Sequence, residues 1–186
     1  MPKDLVILSA PSGVGKTTVV DRFLQRYSNA GWRQVKTCTT RKPRKGELDG
    51  IDYQFLTEFS FNILVKSNKF LEYATVHGQS YGTLMSDVET VWDCGDGAIL
   101  VIDTQGKETV KAKLPEATTI FLLPPSKDEM EKRLRGRGSD TEDVIQIRLN
   151  RALEEIKDAE TYDYQLINVD IEKTVQDLYR IIKNTA

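Results

Sequence analysis

The sequence predicts an α/β fold in which a parallel sheet is flanked by helices. Short apolar runs of strand length alternate with segments of helical periodicity, which is the pattern of parallel strands joined by helical crossovers. The first run, residues 5–9, is followed by a glycine-rich loop and by a helix at about 17–27. A strand, a loop and a helix in this order favour a phosphate-binding loop after the first strand.

The remaining elements follow the same rhythm with two interruptions. Strands are predicted at 98–102, 118–123 and 164–168, and a last helix at about 171–183. Residues 37–92 contain a polar loop, short strand-like pieces and helices near 58–66 and 86–92, and further helices are predicted at 127–137 and 141–160. We therefore expect a single domain, 1–186, divided into a core (about 1–36, 93–125 and 161–186), an inserted lobe (about 37–92) and a helical lid (about 126–160).

Composition and charge narrow the class of protein. Hydrophobic residues make up 39% of the 186 residues, enough for a core, and no apolar run approaches the ~18–20 residues that a membrane span needs. The net charge of −2 argues against a nucleic-acid partner. Two cysteines, Cys38 and Cys94, cannot build a disulfide framework or a four-ligand zinc site. We expect a cytoplasmic protein with no membrane or nucleic-acid partner, and the sequence does not predict its oligomeric state.

The glycine-rich loop carries the first chemical signal. It reads Ala10-Pro11-Ser12-Gly13-Val14-Gly15-Lys16-Thr17 and matches the P-loop pattern at every position except Ala10. Backbone N–H groups from Ser12 to Thr17 would surround a β-phosphate at the helix N-terminus, and Thr18 extends this ATP-binding set. Lys16 would reach the β/γ-oxygens of ATP, and the Thr17 hydroxyl would hold Mg²⁺.

Asp103 follows the strand at 98–102, where a Walker-B carboxylate stands beside the metal. The alternative is an aspartate that ends a strand in a turn. Asp103-Thr104-Gln105-Gly106 also has the spacing of a GTPase switch, but a GTPase needs Asn-Lys-x-Asp, and the only Asn-Lys is followed by Phe70-Leu71. The local arginines favour a kinase that binds the phosphates of two nucleotides.

Several further segments of the chain form a set with the glycine-rich loop. They are Ser9–Lys16, Thr39-Thr40-Arg41-Lys42-Pro43-Arg44-Lys45-Gly46-Glu47, Asp49–Tyr53, Phe70-Leu71-Glu72, Tyr81-Gly82-Thr83, Ile102–Gly106, Pro124-Pro125-Ser126 and Arg133–Gly138. Together these segments resemble guanylate kinases, and the resemblance covers essentially the whole chain. The resemblance implies a P-loop nucleoside monophosphate kinase that converts ATP and GMP into ADP and GDP by in-line transfer with Mg²⁺. Alanine at the first P-loop position occurs in that family.

The resemblance also implies residue roles on the acceptor side. Arg41 and Arg44 would bind the GMP phosphate, with hydroxyls from Tyr53 and Tyr81 and support from Gly82 and Thr83. Glu72 would recognise the guanine base, and Thr37 would contact the O6 atom of guanine. The alternatives are a loop ion pair for Arg41, core packing for the tyrosines and a surface position for Glu72.

On the donor side, the resemblance implies that Arg133, Arg137 and Arg148 come from the lid. They would act with Lys16 and Arg41 to neutralise charge on the transferring group. Asn168 would border the donor nucleotide, with packing at a strand end as the alternative.

Two other functions stay open at this point. One is a kinase with relaxed acceptor choice, taking dGMP or IMP. The other is a guanylate-kinase-like module that binds peptides without phosphoryl transfer. Such modules are expected to lose the P-loop lysine or the lid arginines, which this chain keeps.

Val101 departs from the family pattern, because members usually carry an acid two residues before the aspartate that is Asp103 here. Valine cannot accept a hydrogen bond, so guanine recognition would depend more on Glu72 and Thr37. We expect Val101→Asp to lower the KM for GMP while the chemistry at Asp103 is kept. Steady-state kinetics with GMP as the varied substrate test this, and an unchanged or higher KM would contradict it.

Overall fold

The computed structural model describes residues 4–11, 13–76, 78–136 and 142–185. Its strands are, in chain order, β1 (Leu5–Ser9), β2 (Trp32–Gln34), β3 (Cys38–Thr39), β4 (Gln54–Phe55), β5 (Phe70–Val76), β6 (Gln79–Leu84), β7 (Gly97–Val101), β8 (Thr118–Leu123) and β9 (Tyr164–Ile167). Its helices are α1 (Lys16–Arg26), α2 (Glu58–Lys66), α3 (Met85–Asp93), α4 (Thr104–Lys113), α5 (Lys127–Arg135), α6 (Glu142–Lys157) and α7 (Ile171–Thr185). A 3₁₀ turn, Asp158–Thr161, follows α6.

The described residues divide into two units. The P-loop unit comprises 6–30 and 118–185, and the middle unit comprises 4–5 and 31–117. Both units contain parallel strands together with helices, so the predicted α/β class is confirmed. No helix within the described residues is long and apolar enough to cross a membrane.

In the P-loop unit, β8 lies between β1 and β9, and all three strands are parallel. Strand β1 is buried along its whole length, as expected for a continuous apolar run in a parallel sheet. Helix α1 turns Val20 and Phe23 into the core, while Leu24 is only half-buried. Glu172 on α7 accepts hydrogen bonds of 2.6 Å from both Arg22 and Arg26, which ties α7 to α1.

Helices α5 and α6 share an apolar cluster of their own. Its members are Met130, Leu134, Ile145, Leu149 and Ala152, with Leu153 and Ile156 packed against them. Helix α5 begins at Lys127 because the Ser126 side chain caps it by accepting from the Glu129 N–H. The predicted helix over 141–160 is wrong at its end, since α6 stops at Lys157 and the chain tightens into the 3₁₀ turn.

The middle unit contains two groups of strands. Strand β2 pairs with β7 in parallel. The other four strands form a sheet of order β4-β3-β6-β5, in which only the β3–β4 pair is parallel. This sheet packs on α2 through Cys38, Phe61 and Phe70, and the rings of Phe61 and Phe70 stack with centroids 4.5 Å apart.

Most predicted elements are present, with ends shifted by one to three residues, but four were not predicted. Helix α4 lacks a clear apolar stripe, because the buried residues among its ten are Gly106, Lys107 and Val110. Strands β2 and β3 are only three and two residues long, and β6 is a polar sequence with a glycine. Such elements depend on tertiary partners, which sequence periodicity does not show.

Gly97 in β7 provides a test of packing in the middle unit. A Cβ at this position would lie 2.7–2.8 Å from three atoms of the Trp32 ring, too close for any real contact. We expect Gly97→Ala to destabilise the protein by about 1–3 kcal/mol through overpacking. Urea denaturation measures this change in the free energy of unfolding. The same substitution in a Trp32→Leu background should cost less, and an equal cost in both backgrounds would exclude the clash as its cause.

Candidate functional site

The P-loop follows β1 and ends where α1 begins. Gly13 and Gly15 have φ angles of +90° and +99°, a region that residues with a side chain rarely adopt. Gly15 caps α1 and Lys16 is its first residue, so the N–H groups of the first turn, which cannot bond within the helix, stand at the end of the loop. Thr17 and Thr18 are exposed on this turn. Ser12, the remaining predicted loop residue, lies outside the described residues.

The Lys16 ammonium donates a 2.6 Å hydrogen bond to the carbonyl oxygen of Ala10. This contact uses only the backbone of Ala10, and among the described residues Asn68 alone combines a side chain with a positive φ. Alanine therefore fits the first loop position without strain. The departure from the P-loop pattern at Ala10 has no visible cost.

The carbonyl oxygen of Val14 is the point at which other elements hold the loop. The side-chain amide of Asn168 donates to it at 2.8 Å, and the guanidinium of Arg133 approaches it at 3.4 Å. Asn168 is only 5% exposed, and its own carbonyl oxygen accepts from the Thr174 hydroxyl at 3.1 Å. Both polar ends of the Asn168 amide therefore contact protein groups.

Gly13 and Gly15 also allow close approach by neighbours. A Cβ on Gly13 would lie 3.0 Å from the Leu134 side chain, and one on Gly15 would lie 3.2 Å from the amide nitrogen of Asn168. Leu134 belongs to α5, so α5 contacts the P-loop through both Leu134 and Arg133. The loop is fixed by packing as well as by hydrogen bonds.

The structure describes two of the three predicted lid arginines. Arg133 is half-buried, and it also donates to Glu129 at 3.2 Å. Arg148 is half-buried on α6. Arg137 lies outside the described residues, and α5 ends at Arg135.

In the middle unit, Arg41 lies in an aromatic and acidic setting. Its guanidinium donates to Glu47 at 2.8 Å and stands over the ring of Tyr53 at 5.3 Å. The bond to Glu47 is the main reason that the pKa of Arg41 is raised. The rings of Tyr53 and Tyr81 meet edge-on with centroids 6.2 Å apart. The structure thus brings together Arg41, Tyr53 and Tyr81, three of the predicted acceptor residues.

Glu47 is a residue to which the sequence analysis gave no role. One of its oxygens binds Arg41, and the other accepts from the Arg44 N–H at 2.7 Å, so it connects two predicted phosphate ligands. The Arg44 side chain is exposed. The sequence contained a sign of this role, because Glu47 is the first acidic residue after the basic residues between Lys36 and Lys45.

Glu72 is buried, with 3% of its surface exposed, which excludes the alternative of a surface glutamate. One carboxylate oxygen accepts from the Thr83 hydroxyl at 2.6 Å, and a Cβ on Gly106 would lie 2.9 Å from the other. Burial raises the pKa of Glu72 to about 7, against the opposing hydrogen bond from Thr83, and the charge of Asp103 adds to the increase. Glu72 is thus a carboxylate that is poised to accept donors.

Two other predicted acceptor residues, Gly82 and Thr37, lie on or beside strands of the sheet that contains Glu72. Gly82 pairs opposite Tyr73, and a Cβ there would collide at 2.9 Å with the backbone oxygen of Glu72. Thr37 is half-buried beside β3, and its carbonyl oxygen accepts from the Gln54 N–H at 3.0 Å. Burial raises the pKa of the Cys38 thiol to about 12, so this cysteine is a neutral core residue.

Asp103 caps helix α4, because one of its carboxylate oxygens accepts from the Gly106 N–H at 2.8 Å. This is the turn-like role that the sequence left open, and it uses one of the two carboxylate oxygens. Carboxylate and hydroxyl oxygens suit Mg²⁺, which takes few ligands from protein and the rest from phosphate and water. Within the described ranges, no three His, Cys, Asp or Glu residues form a cluster that could hold a metal by themselves.

These features define the chain as a P-loop phosphotransferase. A glycine-rich loop, a lysine and a helix N-terminus in this order are the features by which P-loop proteins bind a nucleoside triphosphate. In the middle unit, the cluster of Arg41, Tyr53 and Tyr81 and the buried carboxylate of Glu72 provide charged and hydrogen-bonding groups.

Comparison with known proteins gives the family. The guanylate kinase family model matches residues 2–185. A guanylate kinase of Fusobacterium nucleatum is 46% identical over 97% of this chain and 96% of its own length. A guanylate kinase of Neisseria gonorrhoeae is 44% identical over 96% of this chain and 86% of its own. The chain belongs to the guanylate kinase family.

Solved structures agree with this assignment. The crystal structure of guanylate kinase from Anaplasma phagocytophilum has a TM-score of 0.80 and 32% identity, covering 97% of this chain and 85% of that one. Shikimate kinase from Bacteroides thetaiotaomicron, with a TM-score of 0.50 and 15% identity over 97% of this chain and 98% of its own, is similar in fold alone. The P-loop α/β fold and the family resemblance inferred from the sequence are both confirmed.

The buried Glu72 makes stability depend on pH. Its carboxyl ionises near pH 4.5 in the unfolded chain but near pH 7 in the folded protein. The folded state therefore binds the proton more tightly, and this contribution to stability is present below about pH 4.5 and lost as pH rises through about 7. We expect a loss of at most roughly 3 kcal/mol relative to Glu72→Gln, since each unit of pKa difference is worth about 1.4 kcal/mol. Denaturation series of both proteins from pH 4 to 8 measure it, and parallel curves would contradict it.

Proposed function

We infer that this chain transfers the γ-phosphoryl group of ATP to GMP, giving ADP and GDP. The observation that carries the inference is the buried Glu72 carboxylate, in a chain whose curated relatives are named guanylate kinase. Guanine offers two adjacent N–H donors on its Watson–Crick edge, and one carboxylate accepts both, whereas adenine has an acceptor at one of those places. A buried carboxylate without donors is costly, so the wrong base is rejected.

On the acceptor side, we propose that Arg41, Arg44, Tyr53 and Tyr81 bind the GMP phosphate. Guanidinium groups match phosphate oxygens better than an ammonium does. The contact of Arg41 with Tyr53, together with the two bonds of Glu47, supports a common role for these loop residues. Gly82 and Thr83 continue the site, and Thr37 adds a hydroxyl for the base.

On the donor side, we propose that the backbone from Ser12 to Thr18 and the Lys16 ammonium bind the ATP phosphates. The lysine leaves the Ala10 carbonyl for the β/γ-oxygens when ATP is present. Asn168 supports ATP binding indirectly, through the P-loop, because its amide nitrogen donates to Val14 and its amide oxygen accepts from Thr174. We propose this role for Asn168 in place of direct contact with the nucleotide.

The transfer needs no side-chain nucleophile, because catalysis of in-line phosphoryl transfer is positioning and charge neutralisation. We propose that Arg133, Arg137 and Arg148 neutralise the charge on the transferring group. Closure of the lid would also exclude water, which competes with GMP as acceptor. The division into core, lobe and lid stays a prediction.

We propose that Thr17 and Asp103 provide the protein oxygens of an Mg²⁺ site, partly through water. The bound ion would neutralise charge on the β- and γ-phosphates. Capping of α4 uses one oxygen of Asp103 and fixes the direction of the other. We also place the reaction in the cytoplasm, where two unpaired cysteines such as Cys38 and Cys94 stay reduced.

A coupled assay of ADP release tests the function. The full chain is given ATP, Mg²⁺ and one of GMP, dGMP, IMP, AMP or UMP, with Lys16→Met as the inactive control. We expect turnover with GMP far above that with AMP or UMP. Comparable rates with dGMP or IMP would indicate relaxed acceptor choice. No turnover with any acceptor at millimolar concentration would favour the peptide-binding module and overturn the proposal.

Asn168 gives a prediction for the donor side. Removing its amide leaves the Val14 carbonyl without its shorter hydrogen bond, so the P-loop loses support. We expect Asn168→Ala to raise the KM for ATP about tenfold, the effect of one buried hydrogen bond, with a much smaller change for GMP. Asn150→Ala, an exposed asparagine on α6, is the matched control. An unchanged KM for ATP would mean that Asn168 only packs at the end of β9.

A further inference from the structure

Strand β5 contains an irregularity next to Glu72. Phe70 pairs with Leu84 and Glu72 pairs with Thr83. From the first pair to the second, β5 therefore advances by two residues and β6 by only one. The residue between them, Leu71, is the extra residue of a β-bulge. Phe70, Leu71 and Glu72 are all buried, whereas the strand alternates normally from Tyr73 onwards.

The bulge places Glu72 on the face of β5 that meets α4. In a regular strand, residues two apart point to the same face, so Phe70 and Glu72 would share one. Because β6 advances by only one residue, Phe70 lies opposite Leu84 and packs on α2, whereas Glu72 lies opposite Thr83 and next to Gly106 of α4. The bulge also takes the backbone of Leu71 out of the regular ladder, so the Leu71 carbonyl needs a partner from elsewhere.

Lys113 provides that partner. Its ammonium donates to the carbonyl oxygen of Leu71 at 2.5 Å and approaches that of Phe70 at 3.4 Å. Lys113 is the last residue of α4, which packs against β5. The same helix places Gly106 against the other carboxylate oxygen of Glu72. Helix α4 therefore touches both the carboxylate of Glu72 and the backbone that aims it.

We propose that Lys113 is a positioning residue for guanine recognition, which fixes the β5 bulge and thereby the direction of the Glu72 carboxylate. The inference rests on the proposed function, because it assigns to Glu72 the reading of the base. The positive charge of Lys113 also favours the ionised form of Glu72, which is the form that accepts two N–H donors. An arginine in this place keeps the charge and the donors, whereas a methionine keeps only the length.

The alternative is that Lys113 merely satisfies backbone oxygens and adds stability. Lys111 separates the two possibilities, because it lies on the same helix and also donates to backbone carbonyls, those of Pro115 and Ala117 at 2.7 and 2.9 Å. Neither of these lies on β5. Lys111→Met is thus a matched loss of lysine–carbonyl bonds away from Glu72.

The experiment compares the kinetics of Lys113→Met, Lys113→Arg and Lys111→Met. We expect Lys113→Met to raise the KM for GMP roughly three- to tenfold, the effect of a partly exposed charged hydrogen bond, with kcat and the KM for ATP within twofold. The preference for GMP over IMP should fall as well, since IMP lacks the amino group that reaches Glu72. Lys113→Arg should restore most of both values, and Lys111→Met should change neither.

A double-mutant cycle completes the test. In a Glu72→Gln background, Lys113→Met should add little further loss, because the carboxylate that it positions is already gone. Equal effects in both backgrounds, or an unchanged GMP/IMP preference in Lys113→Met, would overturn the proposal.

Failure of the proposed function is a different result, recognised by absence of GMP turnover in the unaltered protein. Positioning is then read from ¹³C resonances of the Glu72 carboxyl. These should shift in Lys113→Met and not in Lys111→Met, and equal spectra would overturn the proposal on this ground too.

Discussion

The middle unit is organised around the burial of one carboxylate. Taking the Glu72 side chain out of water costs free energy that the hydrogen bonding from Thr83 and the charge of Lys113 only partly offset, and the charge of Asp103 adds to the cost, as the raised pKa of Glu72 shows. Thr83 provides the donor, and glycines at 82 and 106 leave room where a side chain would collide. An unfavourable burial that is supported by so many neighbours is typical of a site that binds a ligand.

In the P-loop unit, the groups that need support are the backbone carbonyls of the loop. A loop that presents N–H groups to an anion must turn its carbonyl groups elsewhere, and these also need partners. The carbonyl of Ala10 accepts from Lys16, and that of Val14 accepts from Asn168 and Arg133. Thr174 at the start of α7 orients Asn168 in turn. The anion-binding surface therefore depends on groups that face away from the anion.

Sequence reasoning found the residues with distinctive chemistry and missed those that support them. The P-loop was visible because glycine, lysine and threonine stand at fixed spacing between a strand and a helix. Glu72 was identified only through resemblance, since nothing in Phe70-Leu71-Glu72 shows that the glutamate points inward. Its burial depends on the bulge in β5 and on contact with α4, which a one-dimensional pattern does not reveal. Helix α4 was missed for a related reason, because its few buried residues include Gly106 and Lys107 and form no apolar stripe.

The β5 bulge also constrains how this protein can be redesigned. Changing the accepted base would ordinarily mean replacing one side chain in a pocket, but here the side chain, the strand irregularity and the end of α4 form one arrangement. Deleting Leu71 would keep Phe70 and Glu72 on opposite faces of the sheet but would remove the carbonyl group through which Lys113 holds this part of β5. A designer of altered base choice would therefore have to treat residues 70–72 and α4 as a single module.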